Sequence, residues 1–118
     1  MVDDEPDLVQ LFYEELKSAG FDPIPFDNPK TAIDYVRECR LEISLVITDW
    51  CMPQMNGLEL TKNVLAIDDE IKVILMSAYD LEEDQLKEIN KNDYLRKPIH
   101  MNKLIDAVKK EVYGAITV

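Results

Sequence analysis

Positive charge is scarce in this chain of 118 residues, where 13 Lys and Arg stand against 24 Asp and Glu for a net charge of −11. A surface that acidic repels phosphate backbones, which argues against this domain itself gripping nucleic acid or an anionic membrane and assigns any DNA binding to another domain. Cysteine is nearly absent. Cys39 and Cys51 lack metal-type spacing, and with one expected in a helix and the other in a turn no disulfide is expected, so a reduced, cytoplasmic setting is the default. No apolar run approaches membrane-spanning length, and the amino terminus has neither a basic region nor a long apolar core for export. There is no internal repeat, Gly/Ser linker or low-complexity tract, so residues 1–118 read as one domain with one core.

Acidic residues placed at the ends of apolar runs are the informative feature. Asp49 ends the run Leu45-Val46-Ile47-Thr48 and is followed by a turn sequence, Trp50 to Gly57. In open parallel sheets the carboxyl ends of the strands form the binding crevice, so a carboxylate there can reach a ligand. Asp3-Asp4 follows an apolar residue at the start of the chain, and two such strand ends side by side would hold three carboxylates in one pocket. Their mutual repulsion calls for raised pKa values or a bound cation, and hard oxygen ligands suggest Mg²⁺ or Mn²⁺. Ser77 ends the run Val73-Ile74-Leu75-Met76, and Tyr94-Leu95-Arg96-Lys97-Pro98 reads as a short strand whose lysine could face an anion. Together these make a site for a metal and a phosphoryl group.

Each residue has a plainer reading in isolation. Asp3-Asp4 would cap the first helix. Ser77 would bond to backbone, Lys97 would be a surface lysine before a turn, and Tyr94 would be a core aromatic with its hydroxyl at the surface. Cys51 has no basic partner nearby in sequence and reads as pocket lining. His100 reads as a cap or surface residue, Asp68-Asp69-Glu70 as a solvated loop, and Met52 and Met55 as residues packing the turn down.

Helix and strand signals alternate along the chain. Pro6 suits a first helical turn, Leu8, Val9, Phe12 and Leu16 share one face, and Gly20 stops that helix. Phe21 to Phe26 is expected as a strand, at an edge because Pro23 and Pro25 cannot donate to a ladder. Asn28 caps a second helix that turns Ala32, Val36 and Cys39 inward. Leu45 to Thr48 is a buried strand, Leu58 to Leu65 a helix capped near Asn56, and Ile71 to Met76 a strand. Leu81 to Ile89 is a helix with Glu82, Glu83 and Asp84 in its first turn, exiting at Asn90. Met101 to Val112 closes the chain, with Leu104, Ile105, Val108 and Val112 as its stripe. Such alternation with right-handed crossovers predicts an α/β doubly wound sheet.

The segments Val2-Asp3-Asp4-Glu5-Pro6, Asp49 to Pro53 through Asn56 to Leu60, Ser77-Ala78-Tyr79 and Asp93 to Pro98 resemble the receiver domain of two-component response regulators, over essentially the whole chain. That resemblance implies a flavodoxin-like five-stranded parallel sheet of order 2-1-3-4-5 with five helices. It makes Asp49 the phosphoacceptor. It has Asp4, Asp49 and the Cys51 main-chain carbonyl ligate Mg²⁺, with Asp3 holding a metal-bound water and Ser77 and Lys97 on the phosphoryl oxygens. Ser77 and Tyr94 become the switch pair, and Cys51 and Tyr79 flank the path of the water that removes the phosphoryl group. The implied donor is a sensor histidine kinase or phosphotransfer protein. The implied output is a face of the fourth helix, fifth strand and fifth helix, read by a downstream protein, an attached output domain or a second copy in a phosphorylation-dependent homodimer.

One departure is the first strand, for which only Met1 and Val2 precede the acid pair. Upstream residues absent from this numbering are the expected reason, since an open sheet centre would strand ladder groups at roughly 1 kcal/mol or more each. Rival readings are weaker. A haloacid dehalogenase-type phosphatase needs a second acid where Cys51 stands, a flavodoxin needs a Ser/Thr/Gly-rich loop where Glu5-Pro6-Asp7 stands, and an unphosphorylated pseudo-receiver that serves only for docking usually loses an acid or the lysine.

Overall fold

The computed structural model describes residues 1–2, 6–50, 55–77 and 93–113. Within them the chain runs through α1 (Pro6–Ser18), α2 (Pro29–Cys39), a short 3-10 turn (Arg40–Glu42), β1 (Leu45–Asp49), α3 (Gly57–Ile67), β2 (Lys72–Ser77), β3 (Asp93–Arg96) and α4 (Met101–Tyr113). The helix expected over residues 81–89, with its exit at Asn90, lies outside the described residues.

The three strands pair in parallel in the order β1-β2-β3. Val2 extends this sheet by bridging Thr48 on one side and Phe26 on the other, both in parallel. Laid side by side, the segment at Phe26, the stub at Val2, β1, β2 and β3 reproduce the expected order 2-1-3-4-5. The segment 21–26 forms no ladder of its own and joins only at Phe26. Its backbone explains the two prolines. Phe26 N–H donates to the Met1 carbonyl at 2.8 Å, and the Met1 amine donates to the Ile24 carbonyl at 3.1 Å. Since alternate residues turn their peptide groups to opposite sides, Ile24 and Phe26 face the sheet, while Pro23 and Pro25 direct their missing N–H groups outward. Burial pushes the Met1 amine down to about 5.

Both faces of the sheet are covered, which is why β1 and β2 are apolar almost throughout. One face gathers Val2, Val46 and Val73 with Ala32, Ile33 and Val36 of α2 and Leu60 and Val64 of α3. The other gathers Ile47, Ile74 and Met76 with Phe12 and Leu16 of α1 and Leu104 and Val108 of α4. Adjacent strand residues thus divide between two cores.

The helix ends follow local chemistry. Gly20 adopts φ +96 after α1, and there Gly20 N–H bonds the Lys17 carbonyl and Phe21 N–H the Leu16 carbonyl, each at 3.1 Å. Asn28 caps α2 by accepting from Lys30 N–H at 2.8 Å, and Asn56 caps α3 by accepting from Glu59 N–H at 2.8 Å. The His100 carbonyl accepts from Lys103 and Leu104 at the start of α4, with its side chain exposed. Asp69 and Glu70 are exposed as expected of a solvated loop, and Asp68 Oδ1 orders the turn by accepting from Glu70 N–H. No helix among the described residues is long and apolar enough to cross a membrane.

Candidate functional site

The carboxyl ends of β1, β2 and β3 converge on one lip of the sheet. β1 presents Asp49, whose Cα pairs with Met76 of β2. One residue on, β2 presents Ser77, which pairs with Arg96 of β3, and Lys97 follows directly. Lys97 N–H donates to the Ser77 carbonyl at 2.7 Å, carrying the ladder one step past β3 and fixing where the lysine leaves the sheet. Its side chain then reaches Asp49, with Nζ 3.3 Å from Oδ1.

That ion pair is nearly dry. The side chains are 16% and 7% exposed for Lys97 and Asp49. A carboxylate held there loses much of its hydration, and the ammonium beside it offsets that loss. Ser77 is buried at the same lip and Tyr94 is half-buried on β3, opposite Leu75. The structure therefore brings Asp49, Lys97 and Ser77 together. Asp3, Asp4, Cys51 and Tyr79 lie outside the described residues, as does Met52. Met55 is half-buried against the α2/α3 core and accepts a hydrogen bond from Asn63 Nδ2 at 3.8 Å. Cys39 is a free thiol near the end of α2.

The Asp49 backbone is held by bonds from three directions. Asp49 N–H donates to the Val2 carbonyl at 3.0 Å, and Trp50 N–H donates to the Met76 carbonyl at 2.7 Å. The Asp49 carbonyl accepts from the Thr48 hydroxyl at 3.1 Å. The chain then turns, and Gly57 N–H returns to the Trp50 carbonyl at 2.7 Å. Rigid anchoring of this kind is what a positioned nucleophile needs.

Two contributors escaped the sequence reading. Thr48 is fully buried yet polar, and its position as the sole hydroxyl in β1 was the available signal. Gly57 is required by space, because a Cβ there would stand 2.5 Å from the Asp49 carbonyl oxygen and 2.8 Å from Leu75 Cδ2. No spacing rule announces that contact.

The metal reading can be tested against the part of the site on the page. Asp49 offers a hard, anionic oxygen donor at the carboxyl end of its strand. Val2 bridges Thr48, so the chain leaves Val2 at the same lip, with Asp3 and Asp4 next in sequence. The donor chemistry of Asp49 fits a divalent cation.

Comparison with known proteins agrees with this geometry. A family profile described as the response regulator receiver domain matches residues 1–109. The chain is 33% identical over 113 residues to sporulation initiation phosphotransferase F of Bacillus subtilis, covering 93% of this chain and 89% of that protein. It is 30% identical over 111 residues to the DNA-binding response regulator MtrA of Mycolicibacterium smegmatis, where it spans 92% of its own length but only 47% of the relative. Among solved structures, the CheX–CheY–BeF3–Mg²⁺ complex of Borrelia burgdorferi superposes with a TM-score of 0.83 at 25% identity, covering 92% of this chain and 84% of that one. The chain belongs to the response regulator receiver domain family of two-component signalling.

Proposed function

We propose that this receiver domain is a phosphorylation-driven switch in which Asp49 takes a phosphoryl group from a phosphohistidine on a sensor histidine kinase or phosphotransfer protein. The observation that carries the reading is the 3.3 Å pair between Lys97 Nζ and Asp49 Oδ1 at the lip where Ser77 also ends its strand. A carboxylate oxygen of Asp49 attacks phosphorus, the P–N bond to the donor imidazole breaks, and its electron pair leaves with the imidazole nitrogen. Lys97 stands where it can follow the transferring oxygens, and Ser77 offers them a hydroxyl.

Asp4, the Asp49 carboxylate and the Cys51 carbonyl would hold Mg²⁺, or Mn²⁺, with Asp3 on a metal-bound water. Bound there, the cation would supply neutralising charge for the phosphoryl oxygens. The Mg²⁺ present in the Borrelia burgdorferi complex supports that assignment. The domain contributes positioning to its own phosphorylation and dephosphorylation and acts as a regulator.

Phosphorylation replaces the single negative charge of the Asp49 carboxylate with the roughly two of an acyl phosphate, a net gain of about one at the lip. Ser77 turns toward the phosphoryl group, Tyr94 fills the space released, and the face of β3 and α4 changes shape. A downstream protein, an attached output domain or a second copy of the chain reads that face in the cytoplasm.

The test is phosphorylation by acetyl phosphate with Mg²⁺, followed by intact mass. A gain of one phosphoryl group is expected, and Asp49→Asn should abolish it. Stoichiometric labelling of the Asp49→Asn protein would overturn the assignment.

A further inference from the structure

The hydroxyls of Thr48 and Thr61 take no part in the phosphoryl chemistry described above, yet both residues are fully shielded from solvent. Thr48 stands two residues after Val46, so its side chain turns to the same face of the sheet, against which α3 buries Gly57 and Thr61. Each hydroxyl donates to a backbone carbonyl. Thr61 Oγ1 bonds the Gly57 carbonyl one helical turn back at 2.7 Å, and Thr48 Oγ1 bonds the Asp49 carbonyl at 3.1 Å. The rest of β1 before Asp49 is Leu45, Val46 and Ile47, so burial in this strand does not by itself call for a hydroxyl.

The bond from Thr48 completes the restraint of Asp49. One peptide plane lies on each side of the Asp49 Cα. The plane between residues 48 and 49 is held by Asp49 N–H on the Val2 carbonyl at 3.0 Å. The plane between residues 49 and 50 is held at one edge by Trp50 N–H on the Met76 carbonyl at 2.7 Å, and at the other by the Thr48 hydroxyl. Because each plane is rigid, fixing both fixes φ and ψ of Asp49, and with them the direction in which Cβ and the carboxylate leave the strand. The side-chain torsions remain, and the Lys97 ammonium, 3.3 Å from Oδ1, acts on those. α3 bounds the same carbonyl from beyond the turn, since a Cβ on Gly57 would stand 2.5 Å from the Asp49 oxygen and 3.0 Å from Trp50 Cα. The oxygen is thus lodged between a hydroxyl and the start of a helix.

We propose that Thr48 is a positioning residue for phosphoryl transfer, its hydroxyl setting the tilt of the peptide plane that aims the Asp49 carboxylate at the incoming phosphorus. This rests on Asp49 being the phosphoacceptor and names a residue through which that site gains its geometry. Attack requires the carboxylate oxygen to line up with the bond that breaks, and a misplacement of about 1 Å costs on the order of a hundredfold in rate. A peptide plane released at one edge, with its other edge still bonded, moves the carboxylate by less, so a loss of about tenfold is expected.

The test compares Thr48→Val, Thr48→Ser and Thr61→Val with the parent, using acetyl phosphate at saturating Mg²⁺ and following the labelling rate by rapid mixing and intact mass. Thr48→Val keeps the branched shape and removes the donor, whereas Thr48→Ser keeps the donor. Thr61→Val removes a buried bond of the same kind, hydroxyl to backbone carbonyl, away from the Asp49 peptide, and so measures lost stability alone. The maximal rate should fall about tenfold in Thr48→Val with the half-saturating acetyl phosphate concentration unchanged, and should stay within about twofold of the parent in Thr48→Ser and Thr61→Val. Both valine variants should lower Tm, but only Thr48→Val should shift the carbon-13 resonance of the Asp49 carbonyl. A parental rate in Thr48→Val, or an equal loss in the two valine variants, would overturn the positioning role. Should Thr48→Val not fold, Thr48→Ser and Thr48→Ala make the same comparison between side chains that differ only by the hydroxyl, and equal rates in that pair would overturn it. A parent that takes no label, or an Asp49→Asn protein that keeps it, would instead overturn the phosphoacceptor assignment beneath it.

Discussion

Gly57 sits so close to Asp49 that the first atom of any side chain at position 57 would fall 2.5 Å from the Asp49 carbonyl oxygen. The Asp49 peptide group thus forms part of the seat of α3. Backbone cannot yield as a flexible side-chain end can. Gly57→Ala should therefore destabilise the domain by about 2 kcal/mol, the scale of overpacking in a close-packed interior. Urea unfolding checks this, and an unchanged midpoint would show that the turn gives way freely.

Lys97 is expected to matter more to transfer than to metal binding. Lys97→Met keeps the stem and removes the ammonium that stands 3.3 Å from Asp49. Phosphorylation by acetyl phosphate should slow by at least tenfold, equivalent to about 1.4 kcal/mol of lost transition-state stabilisation. Rapid mixing followed by mass measurement reads the rate. Wild-type speed in Lys97→Met would remove the lysine from the chemistry.

Trp50 adjoins Asp49 and is half-buried, with its backbone N–H bonded to the Met76 carbonyl. Its emission should report Mg²⁺ binding even without phosphorylation, because clustered carboxylates repel less around a cation. Titration should change fluorescence and raise thermal stability, and excess EDTA should reverse both. Asp4→Ala should respond weakly or not at all. An Asp4→Ala protein that titrates like the parent would place the metal elsewhere.

Cys51 and Tyr79 should set the lifetime of the phosphorylated state. Cysteine is a poor partner for an attacking water, and a bulky tyrosine can shield the pocket mouth. Autodephosphorylation should be slower than in receivers with an amide and an acid at those positions. The double variant Cys51→Asn, Tyr79→Glu should lose its phosphoryl group about tenfold faster, a change of only about 1.4 kcal/mol in barrier. Mg²⁺ affinity should stay near the parental value. Decay at the parental rate would make both residues simple lining.

What the sequence by itself determined was periodicity and punctuation. The apolar run ending at Asp49, the Asn caps at 28 and 56, Gly20 after α1 and the stripe containing Leu104 and Val108 are local signals. Each arises from interactions within a few residues, so each survives reading in one dimension. Even the edge placement of residues 21–26 was legible, because proline removes a donor wherever the chain goes. The alternation of the elements made the parallel sheet and its lip of carboxyl ends legible too.

Tertiary structure alone decided the rest, because it depends on distances between residues remote in the chain. That Lys97 spans to Asp49 follows from the register Ser77↔Arg96 and the bond from Lys97 N–H to Ser77, which no local pattern encodes. That position 57 excludes a Cβ follows from how α3 is seated on β1. Residues 21–26 form no strand ladder, since a strand exists only where a partner backbone stands beside it, and the backbone bonds this segment makes to the chain start join Met1 to Ile24 and Phe26. Pairing is a property of two segments, and either one read alone cannot reveal it.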